Sequence, residues 1–158
     1  MTKLNAIQST TTDEQTYTPI FVGVGTPVVN RIVWSRAGQR IFVEGRFTTG
    51  VNTGVQVTMT LPSGLFPLGV DSQQVGVWFR NAGTASTRKT GAMMMVPGSN
   101  NIFFTSGDYT TAAAPFAGQL GTDLFTASEV VNVKFDLPII GRSGCAPRGR
   151  RARRRRDR

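Results

Sequence analysis

The feature that most constrains the fold of this chain is a series of short segments in which apolar and polar residues alternate. In the segment 129–140, EVVNVKFDLPII, an apolar residue occupies every second position from Val131 to Leu137. The segment 40–50, RIFVEGRFTTG, alternates in the same way, with Ile41 on one face and Phe42 on the other. Because a period of two places neighbouring side chains on opposite faces of a strand, both segments are predicted to be β-strands.

Further segments rich in β-branched and aromatic residues extend this pattern along the chain. The predicted strands occupy 16–28, 28–36, 40–50, 55–62, 75–81, 91–98, 100–106 and 129–140. In 75–81 the alternation predicts that Val75, Val77 and Phe79 share a face. The stretch 107–127 fits a long loop, a short helix around 112–114 or an edge strand. About eight strands without an amphipathic helix predict an all-β fold, a single antiparallel β-sandwich or jelly-roll domain over 16–140.

The charge of the chain is concentrated at its C-terminal end. The formal net charge is +9, yet residues 1–140 contain nine Lys and Arg against eight Asp and Glu, a net charge of +1. Residues 141–158 contain nine Arg against Asp157 alone, a net charge of +8. A segment so polar and self-repelling is predicted to be a tail, and the polar residues 1–15 are predicted to be a flexible N-terminal arm.

The tail leaves two interpretations open. It contacts an anionic partner, either the phosphates of nonspecific nucleic acid or an acidic protein surface, or it is a solvated tail without a partner. The candidate contact residues are Arg148, Arg150, Arg151, Arg153, Arg154, Arg155, Arg156 and Arg158. Cys145 in the same segment is expected to be an unpaired thiol, with a bridge between subunits as the alternative.

Composition argues against an enzyme. The chain has no His and one Cys, which excludes Ser-His-Asp and Cys-His catalytic sites, His-ligated metal sites and an internal disulfide. The acidic residues of 1–140 are scattered singly, apart from the adjacent pair Asp13 and Glu14 in the arm. We therefore expect no catalytic residues, no metal and no cofactor. No apolar run approaches the roughly 20 residues that cross a bilayer, so we expect no membrane partner.

The run from Tyr17 to Leu61 resembles a pattern found in tailed-bacteriophage virion proteins. A Y-T-P opening precedes the hairpin VWSRAGQRIFVEGRFTTG, and a later strand ends in Leu-Pro. The resemblance implies a small β-sandwich of the kind used in capsid decoration proteins, head fibres and tail-fibre modules, usually as a homotrimer. It implies framework roles for Tyr17, Trp34, Arg36, Gly38, Val43, Gly45 and Phe47. The Arg-rich end lies outside the pattern.

Apolar residues in two loops are the candidates for subunit or capsid contacts. They are Leu65, Phe66, Leu68, Phe116 and Phe125, and the alternative is that these loops cap the core. The leading hypothesis is a non-enzymatic virion structural protein, assembled in the host cytoplasm, that decorates or cements a capsid or forms a head fibre, with the major capsid protein or another virion protein as its partner. Two alternatives remain, a glycan-binding host-attachment module and a coat protein whose tail binds the genome.

Overall fold

The computed structural model describes residues 12–68, 72–81, 89–106 and 119–140. This part of the chain is all-β, with one short helix. The strands are β1 (Thr12–Thr16), β2 (Phe21–Val22), β3 (Val28–Ala37), β4 (Arg40–Thr48), β5 (Thr58–Thr60), β6 (Phe66–Pro67), β7 (Gln73–Asn81), β8 (Lys89–Met95), β9 (Asn101–Ser106) and β10 (Val130–Ile140), and the helix is α1 (Gly121–Leu124).

All strand pairs are antiparallel, and the strands form one sheet in the order β1-β3-β4-β10-β7-β8-β9-β5-β2, with β6 paired to the end of β10. The sheet curls into a half-barrel around its core. Three strands separate β4 from β9, yet the rings of Phe47 and Phe104 lie with centroids 6.4 Å apart. Phe21 of the far edge strand β2 also contacts Phe47, at 4.3 Å. These contacts require the sheet to bend its two halves towards each other.

The predicted alternation is confirmed in the two central strands. On β4, Ile41, Val43 and Phe47 are buried while Phe42 is half exposed. On β10 the odd-numbered residues from 131 to 139 are buried. Both strands therefore present one face to the core, and their register pairs residue 130 with 48 through 138 with 40.

The short connection 37–39 and the Pro-Gly-Ser-Asn tetrapeptide 97–100 predict hairpin turns, and the structure has a turn at each. Ala37 pairs with Arg40, so a two-residue loop joins β3 to β4, and Gly38 takes φ = +60°, a conformation that favours glycine. Residues 96–100 join β8 to β9, with Gly98 at φ = +74°. Both hairpins fix antiparallel neighbours in the sheet.

Strand β7 departs from the predicted pattern. The register shifts between Gln74 and Gly76, so one residue is added to β7 relative to β8. Val75 is buried, but Val77 and Phe79 are about half exposed, and Trp78 is buried. The prediction that Val75, Val77 and Phe79 share a face is therefore wrong, because the bulge reverses the alternation after Val75.

Two predicted strands are shorter in the structure. The segment 55–62 contains only β5, because the backbone around Val55 and Val57 bonds to residues 119–121 rather than continuing the regular ladder. The segment 16–28 contains only β2, which ends where Gly23 adopts φ = +86°. β1 lies largely within the predicted arm 1–15, and it is ordered there because it pairs with β3. Residues 107–118, where a loop, a helix around 112–114 or an edge strand was left open, and the tail lie outside the described residues.

Candidate functional site: the outer face of the sheet

The side of the sheet that points away from the core is the candidate binding surface. On β10 the odd-numbered residues enter the core, so Asn132, Lys134 and Asp136 point outward. Their cross-strand partners share that face. The outer face, as defined here, consists of Arg31, Val33 and Ser35 of β3, Phe42, Glu44 and Arg46 of β4, Phe66 of β6, Val77 and Phe79 of β7, and Asn132, Lys134 and Asp136 of β10.

Large apolar side chains on the outer face are open to solvent. Phe42 is 45% exposed, Phe79 is 47% exposed and Phe66 is 50% exposed. Val77 is exposed to a similar degree. Single exposed apolar residues are ordinary, whereas several on one face mark a surface suited to a protein partner.

Two neighbouring grooves cross this face and differ in charge. The acidic groove, about 560 Å³, is lined by the carboxylates of Glu14, Glu44 and Asp136 together with Lys134. The basic groove, about 410 Å³, is lined by Arg31, Arg46 and Lys134 together with Glu44 and Phe79. They share Glu44 and Lys134, so the charge changes sign across the middle of the face.

Ion pairs hold most of these charges in place. Arg31 donates to Glu14, Arg40 donates to Asp136, and the Lys134 ammonium lies 3.8 Å from a Glu44 carboxylate oxygen. All six side chains are at least 44% exposed. Such exposed pairs contribute only about 0–1 kcal/mol each, so they order the side chains more than they stabilise the fold.

Arg46 is the cation of the basic groove without a carboxylate partner among the described residues. It lies directly opposite Arg31 in the register of β3 and β4. Like charges directly across a sheet repel each other. An external carboxylate over this end of the face would relieve that repulsion.

A second polar cluster is buried where β4 and β7 end and β10 begins. One nitrogen of the Arg80 guanidinium donates to both carboxylate oxygens of Glu129, at 2.6 and 2.5 Å, and both side chains are 8% exposed. The Thr126 backbone N–H donates to Glu129 at 2.9 Å, and the Thr49 hydroxyl donates to the Thr126 carbonyl at 2.7 Å.

This network determines the protonation of Glu129. Burial of the carboxyl raises its pKa, but hydrogen bonds from Thr126 and the charge of Arg80 outweigh burial, so the pKa lies below its ordinary value. The carboxylate is therefore charged and fully paired at neutral pH. The network joins three segments of the domain, and its role is structural.

The family-like framework residues occupy structural positions. Val43 and Phe47 are in the core, and Tyr17 and Trp34 pack against it. Burial raises the pKa of Tyr17, whose hydroxyl has no hydrogen-bond partner within the described ranges. The Arg36 guanidinium donates to the Gly38 carbonyl at 2.7 Å across the β3–β4 turn. These contacts give the residues a role in folding.

Gly45 has a steric role in the same framework. A Cβ at this position would lie 2.2 Å from the Arg31 carbonyl oxygen and 2.6 Å from the Cα of Ile32. Neither backbone atom can move without breaking the β3–β4 pairing. Glycine at position 45 therefore allows β3 to cross closely over β4.

The predicted interface residues separate into core and surface. Leu65 and Phe125 belong to the core rather than the surface, because Phe125 packs against the Trp78 ring at 4.9 Å and Leu65 is only 8% exposed. Phe66 and Leu68 are about half exposed. Phe116 and all the tail arginines lie outside the described residues.

Sequence reasoning missed Phe42, Val77 and Phe79 as surface residues and Arg80 with Glu129 as a buried pair. The alternation of β4 already placed Phe42 with Glu44 and Arg46, which was a usable signal for its exposure. Because the bulge in β7 is not visible in the sequence, the alternation did not indicate that Val77 and Phe79 point away from the core. No local pattern connects Arg80 with Glu129, because 49 positions separate them.

No protein-family model, curated protein or solved structure matches this chain. Within the described ranges, no group of three or more Cys, Asp or Glu side chains is arranged to hold a metal ion. The helix in that part of the chain is too short and too polar to span a membrane. Function is therefore inferred from the outer face and from the sequence.

Proposed function

We propose that this chain is a non-enzymatic structural protein of a phage virion, a capsid decoration, cement or head-fibre protein that assembles through protein–protein contacts. The observation that carries the proposal is the set of half-exposed apolar side chains on the outer face, Phe42, Phe66, Val77 and Phe79. The resemblance to tailed-phage virion proteins supplies the setting, and the trimer implied there belongs to the same proposal.

We further propose that the two halves of the curled sheet form the two layers of a β-sandwich of the jelly-roll kind. The half containing β4 packs against the half containing β9 through Phe47 and Phe104. The aromatic cluster continues from Phe104 to Phe125 and from Phe125 to Trp78. A rigid, packed scaffold of this kind suits a protein whose task is to hold a surface in a fixed shape.

The mechanism is binding alone. Covering apolar side chains on the outer face contributes about 25 cal/mol for each Å² removed from water. The exposed ion pairs on the same face supply orientation. A protein that binds only the assembled particle stabilises that state by mass action, which is how a cement protein acts.

Association with particles tests this proposal. Virions encoded by a genome that carries the gene for this chain are purified, and the chain itself is removed from them. The full chain is then added back, and its co-sedimentation with the virions is measured. The double variant Phe42→Ser with Phe79→Ser is expected to lose most of the co-sedimentation. Thr122→Ala, at an exposed position on α1 and not part of the outer face, is the control. Absence of the chain from the virion, or full binding by the double variant, would contradict the proposal.

A second candidate function is favoured by the charge of residues 141–158, which carry +8 of the net +9. A coat protein would use this tail to neutralise genome phosphates. Replacing the eight arginines from Arg148 to Arg158 with Gln would then remove nearly all binding to nonspecific duplex DNA and flatten its dependence on salt. If the tail has no nucleic-acid partner, the chain binds DNA only weakly, and the substitutions do not change that binding.

A further inference from the structure

Four side chains of the basic groove form a row across the outer face. The register sets Arg46 opposite Arg31 on one side and opposite Asn132 on the other. Asn132 in turn lies opposite the half-exposed Phe79. Neighbours in such a row have Cβ atoms about 5 Å apart, so two guanidinium groups, an amide and an aromatic ring lie within roughly 15 Å. The groove that they line has a volume of about 410 Å³, which is within the usual range for small-molecule sites.

The polar groups of this row are available to a ligand. Arg46 has no ion pair or hydrogen bond among the described residues, and the same is true of the half-buried Asn132 amide. Arg31 donates to Glu14 through one nitrogen, so its guanidinium retains further N–H donors. Because Glu14 balances the charge of Arg31, the row offers one uncompensated positive charge, that of Arg46.

The backbone beneath the row restricts what can bind there. β4 is paired with both β3 and β10, and β10 is paired with both β4 and β7. The N–H and C=O groups of these strands therefore bond within the sheet, and an extended peptide cannot join at this point as an added strand. Recognition must come from side chains, and the ligand must bring polar groups that match them.

We infer that this row binds a sugar that carries one carboxylate group, such as a hexuronic acid. A planar carboxylate can accept two parallel hydrogen bonds from the Arg46 guanidinium. The Asn132 amide both donates and accepts, as neighbouring sugar hydroxyls do. The C–H face of a sugar ring packs against the Phe79 ring, whose face carries partial negative charge. Three features of one ligand thus match three consecutive positions of the row.

The charges around the row favour a ligand with a single negative charge. Glu44 also lines this groove, and its carboxylate lies 3.8 Å from the Lys134 ammonium. A second negative charge on the ligand, as on a phosphate monoester, would be repelled by that carboxylate, whereas a sugar hydroxyl can donate to it. A sugar acid therefore suits the groove better than a nucleotide does.

This inference goes beyond the proposed function, and the two share only Phe79. The other aromatic side chains on which that function rests are Phe42, opposite Asp136, and Phe66, opposite Ile140. Both lie farther along β10 than Asn132 and remain open to a protein partner. A test based on Arg46 therefore examines the sugar site alone.

Two sugars that differ in one group test the site. Methyl glucuronide carries a carboxylate where methyl glucoside carries a hydroxymethyl group. Each is titrated at low salt into the full chain labelled for NMR, and the backbone amide shifts are followed. Methyl glucuronide is expected to bind with a Kd of about 1 mM and to shift the amides around Arg46 and Asn132. Methyl glucoside is expected to bind at least about tenfold more weakly, because it lacks the charged hydrogen bonds.

Single substitutions then assign the contacts. Arg46→Gln, at an exposed position, should weaken methyl glucuronide binding about tenfold and leave methyl glucoside binding unchanged. Phe79→Leu keeps an apolar side chain without the ring, and it should weaken the binding of both sugars. Lys89→Gln is the matched control, because Lys89 is an exposed cation of β8 that does not line the groove. It should bind both sugars like the unaltered chain, and circular dichroism checks that all variants fold.

Three results would overturn the sugar site: no amide shifts up to about 20 mM methyl glucuronide, equal affinity for the two sugars, or unchanged binding by Arg46→Gln. Adenosine monophosphate is a further probe, and tighter binding of it than of methyl glucuronide would assign the groove to a nucleotide instead. These measurements involve no virions, so their failure leaves the co-sedimentation test standing. Selective binding of methyl glucuronide would likewise support the site even if the chain were absent from virions.

Discussion

The buried and the exposed ion pairs of this domain use the same chemistry in opposite surroundings. Arg80 and Glu129 are enclosed, and Glu129 accepts a further hydrogen bond from the Thr126 backbone N–H, whereas Arg31 and Glu14 project into solvent. Water screens the exposed pair, so separating it costs little. Removing one partner of the enclosed pair leaves an uncompensated charge. The interior pair fixes how three segments meet, and the outer pairs remain available to a partner.

The largest expected effect on stability comes from removing one partner of the buried Arg80–Glu129 pair. Glu129→Ala leaves the Arg80 guanidinium buried without its carboxylate and should lower the free energy of unfolding by about 3–5 kcal/mol. Denaturant unfolding followed by Trp fluorescence measures this. The double variant Arg80→Met with Glu129→Leu should recover much of the loss, because no charge then remains buried. A cost for Glu129→Ala as small as that for Glu44→Ala would refute the comparison.

Two substitutions of buried aromatic residues compare a polar group that is hydrogen-bonded with one that is not, without changing any charge. The Trp78 indole N–H donates to the Thr105 carbonyl at 2.8 Å in the core, so Trp78→Phe should cost about 1–3 kcal/mol. Tyr17→Phe removes a buried hydroxyl that has no partner in the described part of the chain, and it should be neutral or stabilising by up to about 1 kcal/mol. Thermal unfolding compares the two, and equal destabilisation would contradict the assignment of both groups.

Lowering the pH should weaken the Arg80–Glu129 pair less abruptly than removal of the Glu129 side chain does. Because the pKa of Glu129 is lowered in the folded state, its contribution is present above the ordinary value of 4.5 and is lost as the pH falls below it. The advantage of the natural chain over Glu129→Gln should therefore be largest near neutral pH and shrink as the pH falls below 4.5 towards the lowered pKa of the folded state. Urea midpoints measured across that range test the sign, and an advantage that grew on acidification would be inconsistent with it.

The smallest effect is expected on the outer face. Glu14→Gln removes the ion pair with Arg31, in which both side chains are more than half exposed, and should change stability by less than about 1 kcal/mol. The measurement is the urea midpoint at low and high salt. A loss comparable to that of Glu129→Ala would show that β1 depends on this pair far more than its exposure suggests.

The sequence predicted the parts of the fold that local pattern determines. Alternation identified β4 and β10 with the correct faces, and glycine and proline identified the turns at Gly38 and 97–100. The bulge in β7 could not be predicted, because it depends on pairing with β8 rather than on the residues of β7 alone. For Leu65 and Phe125 the sequence left open contact with a partner or capping of the core, and the packing of the curled sheet places both in the core.

The candidate site was less predictable than the fold. Its charges come from β1, β3, β4 and β10, and their proximity depends on a strand order that places β10 between β4 and β7. The exposure of Phe42 was available from alternation with Glu44 and Arg46. The division of the face into an acidic and a basic groove required the register.

The position of β10 has a mechanical consequence. This strand bonds to β4 on one side and to β7 and β6 on the other, and the Arg-rich segment begins directly after its last residue, Ile140. A pull on that segment acts along the strand, at right angles to its hydrogen bonds, so many bonds share the load at once. If the tail binds an anionic partner, as the second candidate function proposes, that partner is tethered to a strand that is paired along both sides.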